Sequence, residues 1–154
     1  MIGAMTRALV AVGALLALAF LILAVVVFAT RDEDRITADN LLSENLTRAI
    51  QVAEQETGGE VDLRSVATFP WDRVLVVAPG APRDDVSAVL GSEYTGTLPF
   101  GSRGQVFVFV RGDDVARIAD YRGRATFDGF EHAVHELPRD DAVLRVNDLV
   151  VAPG

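Results

Sequence analysis

Ala8 to Ala29 is an unbroken run of 22 uncharged, almost wholly apolar residues, and no other feature of the chain restricts its fold so severely. As a helix the run is about 33 Å long, enough to cross a hydrocarbon core of roughly 30 Å. Gly13 is its one weak helix former. A buried core helix is a poor alternative, because the run has no polar face and the other residues are too few to surround it. The serious rival is a cleaved signal peptide, with Arg7 as a charged start and Val27-Phe28-Ala29 offering small or permissive residues at a cleavage site. The apolar part of a signal peptide usually has about 7–15 residues, and this run is longer. The expectation is therefore an uncleaved, single-pass transmembrane anchor at 8–29 behind a short head, residues 1–7. Arg7 on one side faces Arg31 and Arg35 on the other, and the intervening acids count for little in the positive-inside balance. The short head fits a signal anchor with a cytoplasmic N-terminus, which places the rest of the chain outside the cell membrane.

Residues 30–154 are left to build a domain. They carry 13 of the 14 arginines and all 22 acids, a formal charge of −9. Such an acidic domain is unsuited to nucleic acid, which needs a cationic footprint. The chain has no cysteine, which excludes disulfides, thiol nucleophiles, thiolate metal sites and a lipidated cysteine. It also has no lysine, which removes Schiff-base chemistry and the phosphate-loop lysine. Arginine in place of every lysine reads as the coding bias of a GC-rich bacterial genome.

A charged collar, residues 30–36, ends the apolar run, and the domain is expected over 37–154. A helix is predicted from about Thr37 to Glu56, with Thr37 or Asp39 as N-cap and Gly58-Gly59 as its stop. Leu42, Leu46, Ala49 and Ala53 recur at 4-3-4 spacing, and Ile50 widens the stripe. Two heptads with a half-alanine seam suit a helix packed on its own domain better than a dimerising coiled-coil stalk. Asn45-Leu46-Thr47 matches a glycosylation sequon but falls mid-helix and is discounted. Strands are predicted at Arg73–Ala78, Gln105–Val110, Val115–Tyr121 and Ala142–Val146, with a further short strand or tail at Leu149–Ala152. A short helix runs from Asp84 or Asp85 to Leu90 and closes at Gly91. Residues 92–104 read as a loop, and 126–138 fit neither pattern cleanly. Val74–Val77 and Val106–Val110 are apolar on both faces and should be central, whereas Arg117 and Arg145 mark half-exposed strands. The fold class is α+β: about four mainly antiparallel strands with two helices. Two helices cover one sheet face, so the second face of the central strands calls for loops or a partner.

Phe69-Pro70-Trp71-Asp72-Arg73-Val74-Leu75-Val76-Val77-Ala78-Pro79-Gly80-Ala81-Pro82 resembles a segment of uncharacterised bacterial membrane-anchored proteins and lipoproteins. These share an aromatic-x-Trp-Asp start to a hydrophobic strand that ends in a Pro-Tyr-x-Pro turn; Gly80 stands here in place of the tyrosine. Pro82-Arg83-Asp84-Asp85-Val86-Ser87-Ala88-Val89-Leu90-Gly91 is similar to a helix in small envelope domains of the β-lactamase-inhibitor-like and outer-membrane-assembly lipoprotein type. Both resemblances imply an envelope α+β binding domain, and neither brings catalytic residues with it.

Few residues suggest chemistry. His132 and His135, beside Glu131 and Glu136, would share a face for zinc if helical and point apart if extended. No spacing marks a third ligand, and ordinary packing is the preferred reading. Asp84-Asp85, Asp113-Asp114 and Asp140-Asp141 could hold magnesium or share a proton. Each pair sits where a turn or cap selects aspartate for backbone hydrogen bonding alone. Arg111-Gly112-Asp113 spells an adhesion tripeptide that a hairpin turn explains in full. Trp71 and Asp72 are read either as a ligand-facing aromatic with a positioned acid or, preferably, as a core lid and a backbone cap.

The sequence thus describes a single-pass membrane protein of the bacterial envelope with a non-catalytic, protein-binding domain and no cofactor. Trp71, Asp72, Phe107 and Phe109 are its binding candidates, and a membrane or envelope protein is the expected partner. The alternatives are a metal-dependent or acid-pair hydrolase and a structural stalk dimerising through the 42–53 seam.

Overall fold

The computed structural model describes residues 38–56, 58–96 and 104–154, all within one compact unit, Arg35–Gly154. The expected anchor at 8–29 and collar at 30–36 lie outside the described residues. Among the described residues no helix is long and apolar enough to cross a membrane.

Helix α1 spans Asn40–Ala53 and starts where expected, at an Asp39 cap whose carboxylate accepts the Leu42 N–H at 3.1 Å. Its stripe of Leu42, Leu46, Ile50 and Ala53 is buried, so the 42–53 seam faces this chain's own core and is not offered to a second copy. Strand β1 (Gly59–Asp62) and the one-turn helix α2 (Leu63–Val66) follow directly. Gly59 is required here, since a Cβ would collide with the Ala53 carbonyl at the end of α1. Strand β2 covers Arg73–Val77, and helix α3 covers Arg83–Leu90. The cap of α3 is Pro82; Asp84 and Asp85 occupy its first turn, where carboxylates favour the helix dipole. Gly91, at φ 85°, ends it.

β3 (Val106–Arg111) and β4 (Asp114–Asp120) form the expected hairpin around Gly112-Asp113, with a register shift at Phe109/Val110. The ambiguous stretch resolves into β5 (Thr126–Phe127) and β6 (Val134–Pro138). A 3₁₀ turn at Arg139–Asp141 leads to β7 (Val143–Asn147), then β8 (Val150–Pro153). Asp148 (φ 47°) and Leu149 (φ 66°) join these last two strands with two consecutive left-handed residues, the geometry of a type I′ turn without its usual glycine.

The α+β class holds, but the expectation of four strands and two helices needs correcting. Among the described residues eight strands form two four-stranded sheets, in order β4-β3-β2-β6 and β1-β7-β8-β5, beside three helices. Among these strands β5 and β8 pair in parallel and the other pairs are antiparallel. The added strands were hard to see because β1 has one buried valine between acids and β5 is two residues long. Neither is long enough to set up a recognisable alternation.

The central pair of the first sheet is β3 and β2, as the sequence predicts, and both faces are covered by the chain itself. Val74, Val76, Phe107, Phe109, Ala119 and Leu137 pack into one core with α1 and the inward row of the second sheet, Val61, Leu144, Val146 and Val151. The opposite row, Leu75, Val77, Val106, Val108, Val110 and Ile118, packs with Val86 and Leu90 of α3 and with Tyr94. The expected bare face is therefore corrected: the second sheet and α3 fill it. Phe109 is the centre of the first core, with Trp71 edge-on at 5.2 Å and Phe69 at 5.5 Å. Phe109→Ala should cost about 3–5 kcal/mol, and Phe130→Ala, at a partly buried position, clearly less. Urea unfolding followed by the fluorescence of Trp71, the one tryptophan, measures both.

Candidate functional site

The four binding candidates divide into a core pair and a structural corner. Phe107 and Phe109 have no exposed surface and pack within the first core, with Phe127 at 5.9 Å from Phe107. They hold the two sheets and α1 together rather than facing a ligand. Trp71 is likewise buried. Its indole N–H donates to the Ala67 carbonyl at 2.9 Å, and the Arg139 guanidinium lies 5.3 Å from its ring centroid. Arg139 also donates to the Trp71 carbonyl at 3.3 Å, while its own backbone N–H donates to the Asp72 carbonyl at 2.9 Å. The Asp72 carboxylate accepts the Gly112 N–H at 2.7 Å, pinning the β3–β4 turn to the start of β2. The preferred structural reading of Trp71 and Asp72 matches this geometry.

The other candidates stay apart. His132 is exposed and precedes β6, while His135 lies within β6 with its ring edge-on to Phe130 at 5.3 Å. The stretch is not helical, so it gives the two imidazoles no common helical face. Among the described residues no three of His, Cys, Asp and Glu are grouped closely enough to hold a metal ion. The acidic pairs fall in the first turn of α3, the β3–β4 turn and the 3₁₀ turn, three separate places in the fold.

The densest polar arrangement went unnoticed in the sequence. It locks α1 to β4. Ser43 is fully buried; its hydroxyl accepts the Asp120 N–H at 3.0 Å and lies 2.7 Å from Asp120 Oδ1 and 2.8 Å from the Asp39 carbonyl. The single hydroxyl proton serves the carboxylate best, the charged and nearer acceptor. Arg122 grips Asp120 through both oxygens at 2.8 and 2.9 Å and reaches Asn40 at 2.8 Å. Arg117 pairs with Asp39 at 2.6 Å. Burial pushes the Asp120 carboxyl up, but the hydrogen bonds from Arg122 and Ser43 outweigh it and leave the group below its ordinary range. The Leu42 N–H, helped by Arg117, lowers Asp39 too. Every member has an internal partner.

The outward side of α1 differs. Two grooves flank it. One, about 390 Å³, lies between Asn45, Arg48, Ala49 and Val52 of α1, the edge of β1 at Glu60 and Asp62, and Ser65 and Val66 of α2. The other, about 430 Å³, runs along Asn40, Glu44, Thr47, Gln51 and Arg122. Leu41 and Val52 stand 68% and 53% exposed on the same helix. The signal for them was present: both are large apolar residues that fall off the 42-46-50-53 stripe. No protein-family model matches the chain, and no curated protein or solved structure matches it either.

The α1–β4 lock sets an acid response. Asp39 and Asp120 have depressed folded-state pKa values, so their contribution is complete above the unfolded value, near pH 4. It is lost as pH falls through the lower, folded values. Asp120→Asn should flatten the fall in urea midpoint between about pH 4 and 2, and Ser43→Ala should cost about 1–3 kcal/mol at neutral pH by orphaning the Asp120 N–H. Unfolding curves collected across that pH range test both.

Proposed function

We propose that the chain is a single-pass membrane protein of the bacterial envelope whose outward-facing α+β domain binds another protein and performs no chemistry of its own. The observation that carries the binding reading is the outer side of α1. There, two of the large apolar side chains left exposed by the fold, Leu41 and Val52, share one helix with the two grooves beside it. Exposed apolar groups bordering concave polar rims are the usual anatomy of a protein contact. The uncharged run at 8–29 supports the membrane reading, being long enough to span, and the resemblance of the Trp71 segment to anchored bacterial proteins supports the envelope.

The anchor and its direction are tested with one cysteine added after Gly154, which is unique in a chain that has none. A membrane-impermeant thiol reagent should label it in intact cells, with the labelled protein in the membrane fraction. Labelling only after lysis would overturn the orientation. The binding face is tested with a photo-crosslinking residue placed at Leu41, at Val52 or, as a remote control, at Asp113. One discrete adduct at positions 41 and 52 and none at 113 is expected; equal or absent adducts at all three would remove α1 as the contact face.

A further inference from the structure

We propose that the groove between β1 and α1 takes an extended, uncharged, β-branched segment of a partner protein, which adds to the open edge of β1 as a fifth strand of the second sheet. The proposal rests on the protein-binding reading above and gives it a site and a partner chemistry.

Four strands end the two sheets, and they are not equivalent. The β4 edge already carries a parallel bridge from Ala38 to Ile118, with the Asp39 N–H donating to the Ile118 carbonyl at 2.7 Å. The β6 edge is guarded by Pro138, which has no N–H, and by Glu136, 3.7 Å from Arg73; proline and charge are common protections of an edge. β5 has only two residues. β1 has four residues and pairs with β7 alone.

The register shows which groups β1 leaves open. Leu63 donates to Ala142 directly after the strand. Backbone groups alternate in an antiparallel ladder, so Val61 and Leu63 turn theirs toward β7 while Glu60 and Asp62 turn theirs away; the Gly59 N–H is taken by the Glu56 carbonyl at 3.2 Å. The Asp62 carbonyl is taken by the Ser65 hydroxyl at 2.7 Å. That leaves the Glu60 N–H, the Glu60 carbonyl and the Asp62 N–H directed at the groove, the set that an added strand would pair.

The walls specify the side chains. Val52, Ala49 and Val66 make an apolar notch opposite the edge, suited to one β-branched residue of the incoming strand. Two ion pairs lie around the rim, Arg48 holding Glu44 at 2.7 Å and Arg64 holding Asp62 at 2.9 Å, and Glu60 has an opposite charge, Arg145, as its cross-strand neighbour. A charged strand would have to draw a counter-ion away from these neighbours or go without one, at a desolvation cost, whereas an uncharged one needs none. The groove is short. Gly59 abuts the end of α1 and α2 closes the far side, so the occupant pairs over about 10 Å, three steps at roughly 3.3 Å each.

The test uses the full chain in lipid nanodiscs and a fluorescent hexapeptide of alternating threonine and valine, blocked at both ends. Saturable binding is expected, with slowed amide exchange at Glu60 and Asp62. N-methylation of alternate peptide nitrogens should weaken binding at least tenfold, as should Val52→Asp, whose exposed position leaves the fold intact by Trp71 fluorescence. Replacing the valines by arginine or glutamate should weaken it similarly. No saturable binding, or binding indifferent to N-methylation, would overturn strand addition. Tighter binding of the arginine or glutamate peptide would overturn the uncharged class. If crosslinks still form at Leu41 and Val52 while the hexapeptide fails, only this proposal falls and the binding reading stands.

Discussion

The structure depends on the burial of β2 and β3 on both faces. Val74 to Val77 and Val106 to Val110 are almost completely removed from water on alternate sides. Each such side chain contributes roughly 1.5–3 kcal/mol only if something covers it. A strand pair of this kind therefore demands a layer above and a layer below. The chain supplies α3 with the Tyr94 segment on one side, and α1 with an entire second sheet on the other. The second sheet follows from that demand. Its own strands alternate, with Leu144, Val146 and Val151 turned inward and Arg145 and Asn147 turned out, because it has only one face to bury.

A cover made of two different elements needs a way to hold α1 in place beside a sheet. Apolar burial alone does not set the position of a helix along its own axis. The Asp39–Ser43 turn does so, by binding Asp120 and Arg117 of β4 through directed bonds of 2.6 to 3.0 Å. Its polar atoms are buried or half-buried and mutually satisfied, the condition under which a polar network specifies one arrangement rather than weakening it. The same logic applies at the other corner, where Asp72, Trp71 and Arg139 tie together the start of β2, the β3–β4 turn and the end of β6.

What the sequence made legible follows from range. α1 with its Asp39 cap, α3 with Gly91, and the β3–β4 hairpin around Gly112 are local: their signals lie within one turn or one pair of neighbouring strands. The centrality of β2 and β3 was also legible, since a strand apolar on both faces has nowhere else to sit. The second sheet was not. β1 is joined to β7 across some eighty residues, and a four-residue segment with one buried valine carries no periodicity of its own. That omission produced the mistaken inference about Phe107 and Phe109, which looked like an open face only because their cover had not been recognised. Ser43, Asp120 and Arg122 were invisible for a related reason: a polar network assembled across 77 positions leaves no spacing to read.

The second sheet also changes where an open surface can be. With the central strands enclosed, the large apolar side chains exposed among the described residues are few: Leu41 and Val52 on α1, and Leu149 and Val150 at the β7–β8 turn. The turn pair sits on a left-handed Leu149, a conformation that costs on the order of 1–3 kcal/mol for a non-glycine residue. Neither of the two grooves beside α1 includes it. α1 is different because it closes the side of the sandwich between the β4 edge and the β1 edge, and a cylinder laid against a strand edge cannot fill the angle between them. Its inward stripe is fully used, with Leu46 and Ile50 at zero exposure, and the lack of a Cβ at Gly59 lets its end approach β1 closely. The groove between them brings Val52 of α1 next to Glu60 at the edge of β1. Covering the central strands with a helix on that side is thus what leaves a strand edge open next to an apolar notch.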